Sequence, residues 1–332
     1  MTHVLALRAL GLGDALTVVP ALRSLRGVWP GCHLTLAGPR RLGNWLASLG
    51  IVDGVVPVCD LGDRTMLGRS AGSADVAVNL HGRGPQSHRL LQALRPRQLA
   101  AFRCDEARHR EGPQWTERMH EVDRWLQLTA SLGGSGSAED LRLPAQGPRA
   151  EHVVIHPGAA SAARRWPAER WAAVAAALSR EGRRVVVTGG ALESALCADI
   201  AGRGGAVSRA GREDLPALAR TVGTAALLVS GDTGVAHLAT ALSTPSVTLF
   251  GPVSPELWGP RIDLDRHHVL WSGDPGVLLP GDPHGDRLDP RLAAIDVHAV
   301  LDAARQVLGS ALPARPGRPG ADSAGRTPAA AQ

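Results

Sequence analysis

Three glycine-bearing turns, each placed directly after a short apolar run, gather most of the residues that could do chemistry in this 332-residue chain. They are Arg8-Ala9-Leu10-Gly11-Leu12-Gly13-Asp14, His156-Pro157-Gly158-Ala159-Ala160-Ser161 and Ser230-Gly231-Asp232-Thr233-Gly234. The third is the most informative. The run Ala225 to Ser230 reads as a buried strand, Thr233 to Leu242 as a helix, and Val247 to Phe250 as a second strand. Such a turn delivers the free N–H groups of Thr233 and Gly234 to a helix start, where the dipole favours an anion, as in a phosphate site. Gly234 is expected to let that anion approach the main chain. Asp14 alone would read as a helix cap. Facing an anion site on another lobe, the same carboxylate is placed to take a proton from a hydroxyl.

The elements that must position these turns alternate between strand and helix along the whole chain, which predicts parallel sheets covered by helices on both faces. Strands are expected near Val4, Leu34, Val55, Val76 and Leu99, with helices over Arg41 to Leu49 and Gln86 to Leu94 and an amphipathic one over His120 to Leu132. A Gly/Ser stretch from Gly133, with Pro144 and Pro148 behind it, has the composition of an interdomain linker. Beyond it, strands His152 to Ile155 and Val185 to Thr188 and a terminal helix over Asp296 to Leu308 complete a second unit. The expected division is therefore an N-terminal Rossmann-like domain over 1–140, a C-terminal one over 141–309, and a disordered tail over 310–332. Ligands of open α/β sheets sit beyond the carboxyl ends of the strands, so the three turns should converge on one central cleft.

Composition narrows the function. Hydrophobic content of 44% and charged content of 20% are those of a globular protein, with no apolar run long enough to span a bilayer. The N-terminus enters a strand directly, without the pattern of a signal peptide, so a cytoplasmic location is expected. The formal charge of +5 is carried by arginine, since the chain has no lysine. No basic tract is interleaved with stacking aromatics, so no nucleic-acid partner is expected, and a phosphorylated ligand accounts for the charge equally well. Cys32, Cys59, Cys104 and Cys197 are scattered and read as reduced structural thiols. Gly11-Leu12-Gly13 invites a dinucleotide reading, but Leu16 replaces the third glycine and Ala37-Gly38 the acid that should end the second strand, which disfavours NAD. Asp232-Thr233-Gly234 also spells the aspartic-protease triplet. It occurs once, inside strand-helix-strand surroundings, and so does not support that chemistry.

Four further groups are candidates. Arg164-Arg165-Trp166-Pro167 is either a solvated pair or, beside a phosphate site, a planar charged fork for a diphosphate. His237, one helical turn past Asp232, either reaches the ligand or is a satisfied buried histidine. His81-Gly82-Arg83-Gly84-Pro85-Gln86 follows a strand and either is a plain loop or offers His81, Arg83 and Gln86 to an acceptor, alongside Gly11 and Gly13. The loop Gly281 to Arg287 carries Asp and His but no spacing of a closed metal site, so no metal is assigned.

Together these motifs resemble glycosyltransferase family nine, the heptosyltransferase-like enzymes of two-Rossmann GT-B architecture. The resemblance rests on the opening strand with Gly13-Asp14, on His156-Pro157-Gly158 with Arg164, and on Thr188-Gly189-Gly190. Its most specific support is Ser230 to His237 with Phe250-Gly251-Pro252. It implies Asp14 as general base, Asp232, Thr233 and Gly234 holding a donor diphosphate with Arg164 neutralising it, and Glu193 after Gly189-Gly190 contacting the nucleoside. Arg164 stands where the family often has lysine, and loop length around Glu193 varies. The implied reaction is transfer, with inversion, of a heptose-like sugar from a nucleoside-diphosphate donor to a hydroxyl of a glycan or glycolipid, with no cofactor required. Peripheral contact with the inner face of the membrane stays open. So do two alternatives: a sugar-nucleotide epimerase or isomerase, and a non-catalytic nucleotide-binding subunit.

Overall fold

A computed structural model describes residues 1–62 and 74–311 of the chain. The first lobe is a five-stranded sheet of β1 (His3–Leu7), β2 (His33–Gly38), β3 (Gly54–Pro57), β4 (Val76–Asn79) and β5 (Gln98–Ala100). Its order is β3-β2-β1-β4-β5 and every pairing is parallel. Among the described residues five helices accompany it: α1 (Leu12–Thr17), α2 (Val19–Val28), α3 (Arg40–Ser48), α4 (Gln86–Gln92) and α5 (Glu121–Ala130). β1 runs through the middle, and Val4, Leu5, Ala6 and Leu7 have no exposed surface. That is why its sequence is continuously apolar rather than alternating.

The second lobe repeats the plan with β6 (Val153–His156), β7 (Val185–Val187), β8 (Val207–Ser208), β9 (Leu227–Gly231), β10 (Ser246–Leu249) and β11 (His267–Leu270), again all parallel, in the order β11-β10-β9-β6-β7-β8. Its helices are α6 (Ala168–Arg180), α7 (Ser194–Gly204), α8 (Leu215–Gly223), α9 (Gly234–Ala241), α10 (Pro255–Trp258), α11 (Pro290–Ala294) and α12 (Val297–Ala311). The last helix runs to residue 311, and residues 312–332 of the expected tail lie outside the described residues. Among the described residues, no helix is long and apolar enough to cross a membrane.

In each sheet the strand order reverses once, between β1 and β4 in the first and between β6 and β9 in the second. Such switch points open a crevice at the carboxyl ends of the strands. Arg8 and His81 emerge beside the first, and His156 and Asp232 beside the second. Around Arg142 and Leu143 the chain is hydrogen-bonded to both lobes. Arg23 donates to the Arg142 carbonyl at 2.7 Å in the first lobe, whereas Leu143 N–H donates to the Ala241 carbonyl at 2.8 Å in the second. Other links join the lobes, among them Arg142 Nη2 with Asp263 Oδ1 at 2.7 Å. Arg261 pairs with Asp123 at 2.6 Å, and His120 shares a hydrogen bond with the Gly259 carbonyl at 3.0 Å. Val122 N–H donates to His120 Nδ1, so the His120 proton sits on Nε2 and is donated to Gly259.

Candidate active site

Arg8, the first residue after β1, is 1% exposed and organises the first-lobe side of the cleft. Its Nη1 donates to the Leu80 carbonyl at 2.7 Å and its Nε to the Asp14 carbonyl at 3.0 Å. Nη2 reaches two carboxylates, Asp14 Oδ1 and Glu121 Oε1, both at 3.0 Å. The guanidinium also lies 4.9 Å from the centre of the Trp125 ring. Glu121, at the start of α5, accepts in addition from Arg124 Nε at 3.1 Å and Trp125 Nε1 at 2.8 Å. Burial pushes the Glu121 carboxyl up, and the two arginines more than cancel that, leaving it below its ordinary value. An unpaired buried charge would be expensive, and here every buried charge has a partner. Asp14 is consequently fixed in orientation, yet its side chain keeps 31% exposure, enough for a second molecule to reach it.

On the facing lobe Arg164 Nη2 donates to the backbone carbonyl of Asp232 at 2.8 Å, not to its carboxylate. Thr233 is the N-cap of α9 in an extended conformation, and no side chain caps the helix. Arg164 Nε, Thr233 Oγ1 and Ser230 Oγ are buried without a hydrogen-bond partner among the described residues. Buried polar groups are nearly always satisfied, so three orphans around one turn mark a place built to meet a polar ligand. The Asp232 carboxyl, 9% exposed, is raised by burial. Arg164 and His237 offset part of that rise, and the Asp14 carboxylate from across the cleft adds to it. Burial drives His237 down to about 4, so its ring is neutral near neutral pH; it packs edge-on against Trp258 at 5.8 Å.

A Cβ on Gly234 would lie 2.8 Å from Leu12 Cβ and 2.9 Å from Gly13 N, so the bare side of Gly234 faces the opposite lobe. Gly13 is its counterpart: a Cβ there would sit 2.8 Å from the His237 ring and 3.3 Å from Gly234 Cα. Two glycines thus allow the N-termini of α1 and α9 to touch, and Gly11 lies beside the Asp14 carboxylate.

The remaining sequence candidates divide. Glu193 accepts from Gly190 N–H at 2.7 Å, and its carboxylate occupies the space that Gly158 leaves, with Gly189 at its other side, so it ties the His156 loop to the Gly189-Gly190 loop. His156 Nδ1 is 3.0 Å from Thr188 Oγ1, and burial lowers it to about 4. His81 accepts from Ala9 N–H through Nδ1 at 3.2 Å, which leaves the proton on Nε2; burial, then Arg8, lowers it to about 4. It therefore joins the Asp14 group. Arg83 does not: it is exposed and paired with Glu117 at 2.9 Å, and Gln86 lies on the exposed side of α4. Among the described residues, no three His, Cys, Asp or Glu side chains are gathered as a metal site, the Gly281 loop included. Cys32, Cys59, Cys104 and Cys197 are free thiols. The sequence reading passed over Glu121 and the anchoring role of Arg8. The available signal was a charged residue ending an otherwise wholly apolar strand.

Two parallel sheets opposed at the carboxyl ends of their strands, with a carboxylate on one lobe and an anion-type turn on the other, define a protein of the GT-B class. Residues 114–272 match the family described as glycosyltransferase family 9 (heptosyltransferase). The chain is 28% identical over 208 residues to lipopolysaccharide heptosyltransferase 3 of Escherichia coli strain K12. That match covers 57% of this chain and 60% of the relative, so the chain spans less than two thirds of the relative's length. In fold it is similar to a glycosyl transferase family 9 protein from Veillonella parvula, with a TM-score of 0.76, 22% identity, and 93% and 98% of the two chains covered. It is also similar to the E. coli ADP-heptose LPS heptosyltransferase II, with a TM-score of 0.74, 20% identity, and 93% and 99% covered.

Proposed function

We propose that the protein is an inverting glycosyltransferase that moves a heptose-like sugar from a nucleoside diphosphate to a hydroxyl of a glycan or glycolipid acceptor, working on the cytoplasmic face of the membrane. The observation that carries this reading is the meeting of Asp14, anchored by Arg8, with the Asp232–Gly234 turn and its three orphaned polar groups. In the proposed reaction the acceptor oxygen attacks the anomeric carbon as its proton passes to the Asp14 carboxylate. The bond from that carbon to the diphosphate oxygen breaks, and the electron pair leaves with the nucleoside diphosphate. Charge developing on the leaving group is met by Arg164, by Thr233 Oγ1, and by the first N–H groups and dipole of α9. The Asp232 carboxyl, raised by burial and held back by Arg164 and His237, would lie beside that diphosphate. Neutral His81, with its proton on Nε2, is available to position the acceptor. Glu193 would set the nucleoside from the opposite side of the His156 loop.

The test is Asp14→Ala with ADP-heptose as probe donor, since that sugar nucleotide is named for a structural neighbour. Removing a positioned base should lower turnover by about 10²- to 10⁴-fold and leave ADP affinity nearly unchanged. Wild-type turnover in this variant would reject the assignment. Donor incubated without acceptor separates the alternatives, because isomerised sugar would replace a transferase by an isomerase.

A further inference from the structure

A second polar cavity lies at the other end of the C-terminal sheet. It encloses about 360 Å³ and is lined by Arg184, Arg209, Arg220, Glu213, Thr221 and His152, among others. His152 and Arg184 immediately precede β6 and β7, so the cavity opens at the amino edge of the sheet. His156, on the cleft side, is four residues of strand away, roughly 13 Å. Nothing in the donor site reaches this far.

The lining is chemically specific. Arg209 Nη1 donates to Glu213 Oε1 at 3.1 Å and to Thr221 Oγ1 at 3.0 Å, and the Thr221 hydroxyl donates to the same Glu213 oxygen at 2.6 Å. His152 Nε2 is bonded to the Thr221 carbonyl at 2.9 Å. This triad makes a fixed wall. Glu213 Oε2 is buried and has no hydrogen-bond partner among the described residues, so the carboxylate meets the cavity as part of the triad rather than through a free oxygen. Arg184 and Arg220 stand exposed at the rim, and no carboxylate pairs with either among the described residues. The cavity thus offers two unpaired guanidinium groups at its mouth and a polar wall of Arg209, Glu213 and Thr221 behind them. Its volume is in the range of small-molecule sites.

We propose that this cavity is a second ligand site, distinct from the interlobe cleft, for a small phosphorylated polyol of the sugar-phosphate class. Arg184 and Arg220 hold the phosphate through charge-assisted hydrogen bonds, and the polar wall of Arg209, Glu213 and Thr221 meets the ligand hydroxyls. An inorganic anion satisfies only the first half of that pattern, and a neutral sugar only the second.

Calorimetry with glucose 6-phosphate, inorganic phosphate and glucose tests this on the Arg164→Ala protein, whose cleft site is weakened, and on the same protein carrying Arg220→Ala. The expected result is binding of glucose 6-phosphate in the first protein, tighter than either inorganic phosphate or glucose, and about 10-fold or greater loss of affinity in the second. Arg184→Ala, another exposed position, should give a comparable loss. Absence of glucose 6-phosphate binding in the Arg164→Ala protein overturns the proposal. So does affinity unchanged by both rim substitutions, or inorganic phosphate binding as tightly as the sugar phosphate.

Discussion

Replacing Gly234 with alanine separates the contact between the lobes from the binding of donor. A Cβ there would fall 2.8 Å from Leu12 Cβ, whereas carbon atoms rest at about 3.5–4.0 Å, so the lobes must part by roughly 1 Å at this point. Neither obstacle is the far end of a flexible side chain: Leu12 Cβ and Gly13 N are fixed by the start of α1. The local backbone offers no objection, because Gly234 is the first residue of α9 and is not among the positive-φ glycines. Alanine there is, if anything, a better helix former. The cost therefore falls on the spacing between Asp14 and the Asp232 turn. A misplacement of about 1 Å at a reacting centre can cost about 100-fold in rate. Steady-state turnover with the probe donor should fall by about that factor, while ADP affinity by calorimetry stays within a few-fold of wild type. Wild-type turnover would refute the reasoning by showing that catalysis does not use the Gly13–Gly234 contact. A parallel loss of ADP affinity would refute it differently, by showing that Gly234 faces the phosphate after all.

Three other outcomes follow from the same geometry. Arg164→Ala removes a charge with a free buried Nε and the bond to the Asp232 carbonyl; at about 1.5–3 kcal/mol for a charged hydrogen bond, ADP should bind about 10- to 100-fold more weakly, and unchanged affinity by calorimetry would reject the role. Glu121→Ala leaves the buried Arg8 and Arg124 short of a carboxylate and should destabilise the fold by about 3–5 kcal/mol in denaturant unfolding, with turnover lost as Asp14 loosens; a loss below about 1 kcal/mol would mean that the remaining partners suffice. His267, 8% exposed, is lowered from 6.5 to about 4 by burial, so the folded state prefers it neutral: its contribution is present above 6.5 and is lost as pH falls from there toward 4. Between about pH 7 and about pH 5 this group should account for about 2 kcal/mol of lost stability. His267→Gln should show that much less loss over the same interval, and equal losses in the two proteins would count against it.

Much of this protein was legible locally. The uninterrupted apolar run of β1 and the glycine turns after β1, β6 and β9 specify parallel strands and the loops that leave their carboxyl ends, because backbone preference and hydrophobic period are properties of neighbouring residues. Asp14, Asp232, Thr233 and His237 were visible as candidates for the same reason: each follows a strand at a fixed short offset. The direction in which a group points was not legible. Gly234 read as a cradle for an anion, and only the packing of one lobe on the other turns its bare face toward Leu12. Arg83 and Gln86 sat in a promising loop, yet Arg83 pairs with Glu117 and Gln86 faces outward on α4.

By itself the sequence determined two parallel α/β lobes and the positions of the turns that carry polar chemistry. Tertiary structure decided that Arg8 and Glu121, 113 residues apart, share a buried charge that holds Asp14 still. It also decided that a basic cavity forms at the far edge of the second sheet from residues of four separate segments. The physical reason is that strand and turn formation is governed within a few residues, whereas the pairing of a buried charge is chosen by whatever the fold brings within hydrogen-bond reach of it.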